Sequence, residues 1–137
     1  MCTTFHSERN DHVDSLYRPG AAPPAFEKAM NSGNLDEVLS LLAPGAVMRT
    51  VTGETVTGQA LRDYTAGSIA GNAQLSNGPS RVVAGDDIAL ISEEWTLEIT
   101  GPDGNRRKAI GTTANVARRG QDGTWRMAIL NPLDTAA

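Results

Sequence analysis

The sequence predicts an α+β fold, with three helices in the first half of the chain and a strongly curved antiparallel sheet in the second. In residues 23–43 and 58–72 apolar side chains recur every three or four positions, the spacing of amphipathic helices. From residue 81 the pattern changes to strands separated by turns rich in Gly, Asp, Asn and Pro. Two of these strands run for about a dozen residues, a length at which an antiparallel sheet curves. Helices followed by one sheet make an α+β plan.

Composition excludes several classes of protein. The 137 residues include 12 basic and 16 acidic side chains and suit one domain. No apolar run approaches the ~18 residues of a membrane span, and the basic residues are too scattered for a nucleic-acid surface. Cys2 is the single cysteine, and with two histidines the chain offers no Cys/His zinc site. We therefore expect no metal and no cofactor, and, because residues 1–9 lack a secretory signal, a cytoplasmic location.

The chain divides into a flexible polar arm, residues 1–22, and a single domain, residues 23–137. The first helix is expected over 23–32, with Gly33 as a left-handed cap. Asn34 starts a second helix, with Glu37 three residues later, and Pro44-Gly45 ends it. A hairpin of strands 46–52 and 55–57 and a third helix between 58 and 72 follow.

The rest of the domain reads as an antiparallel meander. Residues 72–79 are polar and contain Gly and Pro, which predicts a loop. The strands are expected at 81–84, 88–100, 107–119 and 124–131.

Three stretches of the chain carry a resemblance to a known family: Ala29 to Val47, Gly85 to Leu97, and Arg118 to Arg126 with Asn131-Pro132. Together they resemble the NTF2-like superfamily, in its SnoaL-like or DUF4440-type branch, which includes ketosteroid isomerases and polyketide cyclases. The resemblance covers residues 23–134. It implies a cone-shaped barrel of curved sheet on three helices, a pocket inside the cone for a small apolar ligand, and a homodimer formed through the sheet. Because this scaffold also serves non-catalytic modules, function has to be argued from the site.

Alternation along strand 88–100 selects a candidate base. Glu93 shares a face with Trp95 and Leu97, and this face is the more apolar one. A carboxylate in an apolar pocket has a raised pKa and suits general-base catalysis. The alternative is that Glu93 lies at the rim of the cone, solvated or paired with an arginine.

Asn115 is the candidate partner of this base. The resemblance to ketosteroid isomerases puts Asn115 where those enzymes keep an oxyanion-hole acid, and an amide can donate a hydrogen bond there. Thr113 shares its face. Either this face or the one with Ile110 and Thr112 points inward, and a Thr/Asn ladder within the sheet is the alternative reading.

Further residues are expected to line the pocket, and some of them differ from the residues that the isomerases have at those positions. The comparison places Thr50 at the isomerase base and Phe26 at its tyrosine, so that catalytic triad is absent. Tyr64 on the third helix is either an O–H donor or core, and Met48 is either pocket wall or core. Leu130 precedes Asn131-Pro132, where relatives often carry an acid.

The sequence thus predicts a SnoaL-like pocket protein. In the catalytic interpretation it is a cofactor-free isomerase, cyclase or lyase for an apolar carbonyl compound, with Glu93 as base and Asn115 and Tyr64 as polar anchors. The alternative is a non-catalytic ligand-binding or dimeric assembly domain.

Overall fold

The predicted α+β architecture is confirmed by a computed structural model, which describes residues 16–133. A single 3-10 turn, Pro19–Ala21, precedes three helices: α1 (Ala22–Ser32), α2 (Leu35–Ser40) and α3 (Gly58–Ala70). The strands are β1 (Leu42–Arg49), β2 (Thr55–Thr57), β3 (Gln74–Ala84), β4 (Ile88–Thr100), β5 (Arg106–Thr112), β6 (Asn115–Arg119) and β7 (Trp125–Leu130). They form one curved, unclosed sheet against which the helices pack.

The boundary between α1 and α2 follows the capping residues in the sequence. Gly33 ends α1 with a φ of 75°, a conformation that costs glycine little. The side chain of Asn34 then accepts a hydrogen bond from the backbone N–H of Glu37 at 3.1 Å and caps α2. The second helix is shorter than predicted, because Leu42 already belongs to β1.

The sheet has the strand order β2-β1-β7-β6-β4-β3, and β5 also pairs with β4. The meander from β3 to β7 is antiparallel as predicted, but β1 lies parallel to β7. That pairing joins the two ends of the domain, for example Val47 to Ile129, and no local pattern encodes it.

The prediction of a loop over residues 72–79 is wrong: β3 begins at Gln74 and pairs with β4 from there. A register shift between Asn77 and Ser80 accommodates Gly78-Pro79, as expected of a bulge that spares proline a ladder hydrogen bond. The side chain of Asn31 on α1 covers the free edge of this polar segment. Its Oδ1 accepts a hydrogen bond from the backbone N–H of Leu75 at 2.6 Å, and its NH₂ group donates one to the Leu75 carbonyl at 2.8 Å. Tertiary contacts therefore stabilise a strand that composition alone disfavours.

The single strand predicted over 107–119 is two strands, because the ladder breaks at Thr113 and Ala114. Both halves pair with β4, β5 with its second half and β6 with its first. The backbone N–H of Ala114 turns instead to the carbonyl of Asn131, at 2.9 Å. The break bends the sheet around the cavity described below.

The end of the predicted arm is attached to the domain. The carbonyl of Leu16 accepts a hydrogen bond from the backbone N–H of Trp125 at 2.7 Å, and Ala21 and Ala22 are buried. The remainder of the predicted arm, residues 1–15, lies outside the described residues. None of the helices within residues 16–133 has the length and apolar character needed to cross a membrane.

Candidate functional site

A cavity of about 130 Å³ lies between α1, α3 and the inner face of the sheet. All the residues predicted for the site line it, with the exception of Thr50: Phe26, Met48, Tyr64, Glu93, Trp95, Leu97, Thr113, Asn115 and Leu130. Thr50 is buried, but its hydroxyl accepts a hydrogen bond from the backbone N–H of Glu54 at 3.1 Å. It therefore holds the turn between β1 and β2.

The sequence left open which face of residues 110–117 points into the cavity, and the structure shows that the face with Thr113 and Asn115 does. Thr113, Asn115 and Ala117 are buried on the inner face, whereas Ile110 is exposed. Gly111 belongs to the inner set, and a Cβ there would come within 2.7 Å of the Trp95 ring. Glycine at this position lets the indole lie against the strand.

Glu93 is buried in the cavity wall, with 6% of its surface exposed. Its Oε2 accepts a hydrogen bond from the Ser80 hydroxyl at 2.9 Å, across the β3–β4 ladder. Burial raises the pKa of Glu93, since desolvation disfavours the charged form; the Ser80 hydrogen bond opposes this rise. The hydroxyl is a neutral partner, so it orients the carboxylate without the attraction that a cation would supply.

A second carboxylate, that of Glu27, acts electrostatically on Glu93. Glu27 on α1 accepts a hydrogen bond from the backbone N–H of Asn77 at 2.8 Å. Its negative charge adds to the rise in the pKa of Glu93, as the smallest of the three contributions. The helix that covers the edge of β3 thus also influences the candidate base.

The amide of Asn115 has a defined orientation. The backbone N–H of Asn131 donates to Asn115 Oδ1 at 2.7 Å. Since an N–H group needs an acceptor, the oxygen must face Asn131 and the NH₂ group must point the other way. Asn115 lines the cavity and is buried, and within residues 16–133 no acceptor contacts its NH₂ group. This group is therefore available as a donor to a ligand.

Thr113 connects the two candidate residues. Its Oγ1 accepts a hydrogen bond from the backbone N–H of Glu93 at 3.0 Å, and its own N–H donates to the Glu93 carbonyl at 2.8 Å. These bonds fix the break between β5 and β6 against the strand that carries the candidate base.

The remaining predicted residues form an apolar wall with one opening. Trp95 is held in place by a hydrogen bond from its Nε1 to the carbonyl of Pro132, at 2.7 Å. Tyr64 lines the cavity but is 37% exposed, and Val51 beside it is exposed as well. Both side chains therefore lie at the mouth of the cavity. Tyr64 is too exposed to be a core residue, and it lines the cavity at its mouth rather than deep inside.

Several lining residues escaped the sequence analysis. Asn77 lies in the segment predicted as a loop. Ser80, which bonds Glu93 without lining the cavity, lies between that segment and the strand predicted at 81–84, so its pairing with Glu93 is visible only once β3 is placed. Arg49, which follows Met48 on β1, also lines the cavity. It ends β1, next to the turn at the cavity mouth.

The site offers acid–base and hydrogen-bonding groups rather than a set of metal ligands. In the part of the chain that the structure describes, no three His, Cys, Asp or Glu side chains are grouped to hold a metal ion.

Solved structures with a similar fold come from proteins of different descriptions. A proposed dehydratase of the NTF2-like family from Streptomyces avermitilis is 20% identical, with a TM-score of 0.71, covering 85% of this chain and 93% of the other. A proposed ketosteroid isomerase from Shewanella frigidimarina is 16% identical, with a TM-score of 0.68, covering 82% and 91%. A proposed calcium/calmodulin-dependent protein kinase II association domain from Xanthomonas campestris is 20% identical, with a TM-score of 0.67, covering 81% and 82%. At these identities the likeness shows the fold alone.

The sequence itself identifies the family. None of the curated proteins matches it significantly. The family model described as the SnoaL-like domain matches residues 25–127, which span α1 to the middle of β7 and include Glu93 and Asn115. The chain belongs to the SnoaL-like domain family.

Proposed function

We propose that this protein is a cofactor-independent enzyme that removes a proton next to the carbonyl group of a small apolar compound. The observation that carries the proposal is Glu93, a buried carboxylate with a raised pKa whose hydrogen-bond donor is a neutral hydroxyl. Such a group resists ionisation in water-poor surroundings and is correspondingly basic once ionised. A carboxylate buried in an apolar cavity lowers the stability of the folded protein. Such costly groups are found mainly at functional sites.

The proposed reaction uses Glu93 and Asn115 in sequence. Ser80 holds Oε2, so Oε1 is the oxygen that takes the proton from the α-carbon of the substrate. The electrons of the broken C–H bond form a carbon–carbon double bond, and the carbonyl π electrons move to the oxygen. The NH₂ group of Asn115 donates a hydrogen bond to this developing oxyanion.

The enolate can then continue in two ways. If protonated Glu93 returns the proton to a different carbon, the product is an isomer. If a leaving group departs with its bonding electrons from the β-carbon, the reaction is an elimination. The isomerase and dehydratase descriptions of two structural relatives fit these two outcomes and support the proposal at the level of reaction class.

Exchange of hydrogen with solvent tests the chemistry without knowledge of the natural substrate. Small ketones are incubated with the protein in D₂O, and loss of their α-proton signals is followed by NMR. We expect exchange above the buffer rate, lost in Glu93→Gln and kept in Glu94→Gln. Glu94 is the matched control because it is the adjacent residue, carries the same group and is exposed on the opposite face.

The rival function, non-catalytic ligand binding, predicts a different result. Native mass spectrometry of the purified protein would then find a retained small molecule, and ketone binding would occur without protein-dependent exchange. Ketones that bind but exchange no faster than in buffer would refute the catalytic proposal.

We further propose that the protein is a homodimer formed through the outer face of its sheet. Apolar residues there lie side by side on neighbouring strands, in the order Val83, Leu90, Val116, Ile129 and Val47. Val83 is 72% exposed and Leu90 48%. A continuous row of this kind on a sheet face is typical of a surface buried in an assembly.

A further inference from the structure

We infer that the cavity takes a neutral compound with a single ring, whose carbonyl oxygen is held by two donors, the Asn115 amide and the Thr113 hydroxyl. This inference deepens the proposed function, because it names the class of substrate and assigns Thr113 a direct contact with it. It rests on the size of the cavity, on the hydrogen bonds that surround Thr113, and on the charge next to Glu93.

The volume of the cavity limits the ligand to about one ring. Its 130 Å³ are close to the ~150 Å³ of an apolar protein cavity that accommodates benzene. Sites for drug-sized or polycyclic ligands are larger, ~300 Å³ and above. The opening beside Val51 and Tyr64 leaves room for a substituent to extend outward, but not for a second fused ring inside.

The lining also suits a ring. Aromatic side chains, Phe26 and Trp95, and the thioethers of Met30, Met48 and Met127 make up much of the wall. Aromatic and thioether groups contact ring faces and edges favourably. Among the polar residues of the lining, Glu93, Thr113 and Asn115 lie on adjacent parts of β4, the break before β6, and β6.

Thr113 has a proton to donate. A hydroxyl has one donor proton and two acceptor lone pairs. One lone pair of Thr113 Oγ1 is used by the backbone N–H of Glu93 at 3.0 Å. Its proton meets no acceptor within residues 16–133, and the buried side chain lines the cavity. The hydroxyl proton is therefore available to a ligand atom in the cavity.

Thr113 and Asn115 act on the same ligand atom because of their positions. They are two residues apart on the inner face, and both backbones lie against β4, where Thr113 is bonded to Glu93 and Asn115 pairs with Ile91. Two donors on neighbouring inward positions suit a carbonyl oxygen, which has two lone pairs. Glu93, on the facing strand, is then beside the carbon next to that carbonyl.

The charges next to the donors select against anions. Glu93 lines the cavity and Glu27 is near enough to add to the rise in its pKa. Arg49 also lines the cavity, but it ends β1 next to the turn at the mouth, away from the strands that carry the donors. A ligand carboxylate at this place would meet like charge in surroundings with little water, which is unfavourable. A neutral ketone is therefore expected to bind where a carboxylate of the same size does not.

Four compounds test this inference by NMR titration of the labelled protein at pH 7.5: acetophenone and three others that each differ from it in one feature. Acetophenone has one ring and a ketone oxygen, ethylbenzene has the ring without the oxygen, benzoate replaces the ketone with a carboxylate, and 2-acetylnaphthalene has two fused rings. We expect acetophenone to bind more tightly than each of the other three. Acetophenone binding no more tightly than ethylbenzene or benzoate would overturn the inference, as would preferred binding of 2-acetylnaphthalene or no binding by any probe.

Substitution of the two donors tests their roles separately. We expect Thr113→Val to weaken acetophenone binding by about fivefold, the effect of one neutral hydrogen bond, while ethylbenzene binding is unchanged. Thr113→Ser should restore it, because the hydroxyl returns. The matched control is Thr112→Val on the opposite face of the sheet, which should alter neither probe. Equal acetophenone affinity in wild type and Thr113→Val would remove Thr113 from the site. If Thr113→Val fails to fold, the wild-type comparison of acetophenone with ethylbenzene still decides whether the ketone oxygen is held.

The two proposals fail in different ways. If acetophenone binds with the expected dependence on Thr113 but exchanges no hydrogen in D₂O, the inferred ligand class stands and the catalytic function is refuted. If α-proton exchange requires Glu93 but only the two-ring ketone is a substrate, the catalytic function stands and the inferred ligand class is refuted.

Discussion

Glu93 owes its properties to neighbours that are distant in the sequence. Ser80 supplies its hydrogen bond, Thr113 fixes its backbone, and the sheet and helices remove it from water. The charge of Glu27 raises its pKa further. A carboxylate in this position binds a proton more tightly in the folded than in the unfolded protein.

This difference makes stability depend on pH in a specified direction. Because the folded-state pKa of Glu93 is above its value in the unfolded chain, ionisation of Glu93 costs stability as the pH rises through the interval between the two values. We expect Glu93→Gln, which cannot ionise, to be about 1 kcal/mol more stable than wild type at pH 8, the scale of relieving an unfavourable buried group. The advantage should vanish near pH 4. Urea unfolding of both proteins at the two pH values measures it.

Other acids do not obscure the comparison. Hydrogen bonds lower the pKa of Asp103 and Asp122, which are fully exposed, and their contribution to stability is lost on acidification. Both groups are present in the two proteins, so their effects cancel in the difference. A stability difference that is independent of pH, or a less stable variant at pH 8, would contradict the assignment of Glu93 as a buried, unfavourable charge.

At the scale of elements, β3 is a strand maintained by a helix. The amide of Asn31 on α1 occupies the edge of β3 as a neighbouring strand would, with one donor and one acceptor toward Leu75. The contact connects the helix that lines one side of the cavity with the strand that carries Ser80.

Removal of this amide should be costly. We expect Asn31→Ala to lower the free energy of unfolding by about 1–3 kcal/mol, because it leaves the partly buried N–H and C=O of Leu75 without partners. Gln59→Ala is the control, since it removes an exposed amide that bonds only Asp63. Denaturant unfolding compares the two, and equal losses would show that the edge contact contributes nothing specific.

The segment before α1 separates into two parts with different expected effects. Composition predicts that residues 1 to about 20 are dispensable for folding. Because the Leu16 carbonyl bonds the domain, we expect this of residues 1–15, whose removal should leave the melting temperature nearly unchanged. Removal of residues 1–17 also deletes the Leu16 carbonyl and leaves the buried Trp125 without its backbone partner. We expect that longer truncation to lose about 1–3 kcal/mol of stability. Thermal melts of the two truncated proteins decide, and a large loss from the shorter truncation would show that residues 1–15 are structural.

At the scale of the whole molecule, the curved sheet has one face that lines the cavity and one face on which we propose the dimer contact. The inner face carries Glu93, Trp95 and Asn115, whereas the outer face exposes the apolar row centred on Leu90. Since a strand alternates its side chains, successive residues of β4 belong to the two faces in turn.

The dimer proposal is tested by placing a charge in this row. We expect the wild-type protein to have the mass of a dimer in light scattering at micromolar concentration, and Leu90→Asp to be a folded monomer, because a buried carboxylate without a partner disfavours association. Ala60→Asp, on the exposed surface of α3, should remain dimeric. A monomeric wild-type protein would refute the proposal.

The sequence by itself determined the α+β class, the family and the cavity-facing set of β4. Local signals were sufficient there: the caps at Gly33 and Asn34, and the strict alternation of Ile91, Glu93 and Trp95, depend on neighbouring residues alone. The resemblance then added Phe26, Asn115 and Leu130, which line the cavity, and Thr50, which does not.

Only the tertiary structure decided how these elements pair and which polar groups meet. The parallel contact of β1 with β7, the strand at Gln74, and the break at Thr113 all depend on residues far apart in the chain, and no local pattern specifies them. The same holds for the site, where Ser80 reaches Glu93 and Asn131 orients Asn115 across strand pairs. Hydrogen bonds between distant residues are fixed by register, and register is set by the packing of the whole sheet rather than by the residues of one strand.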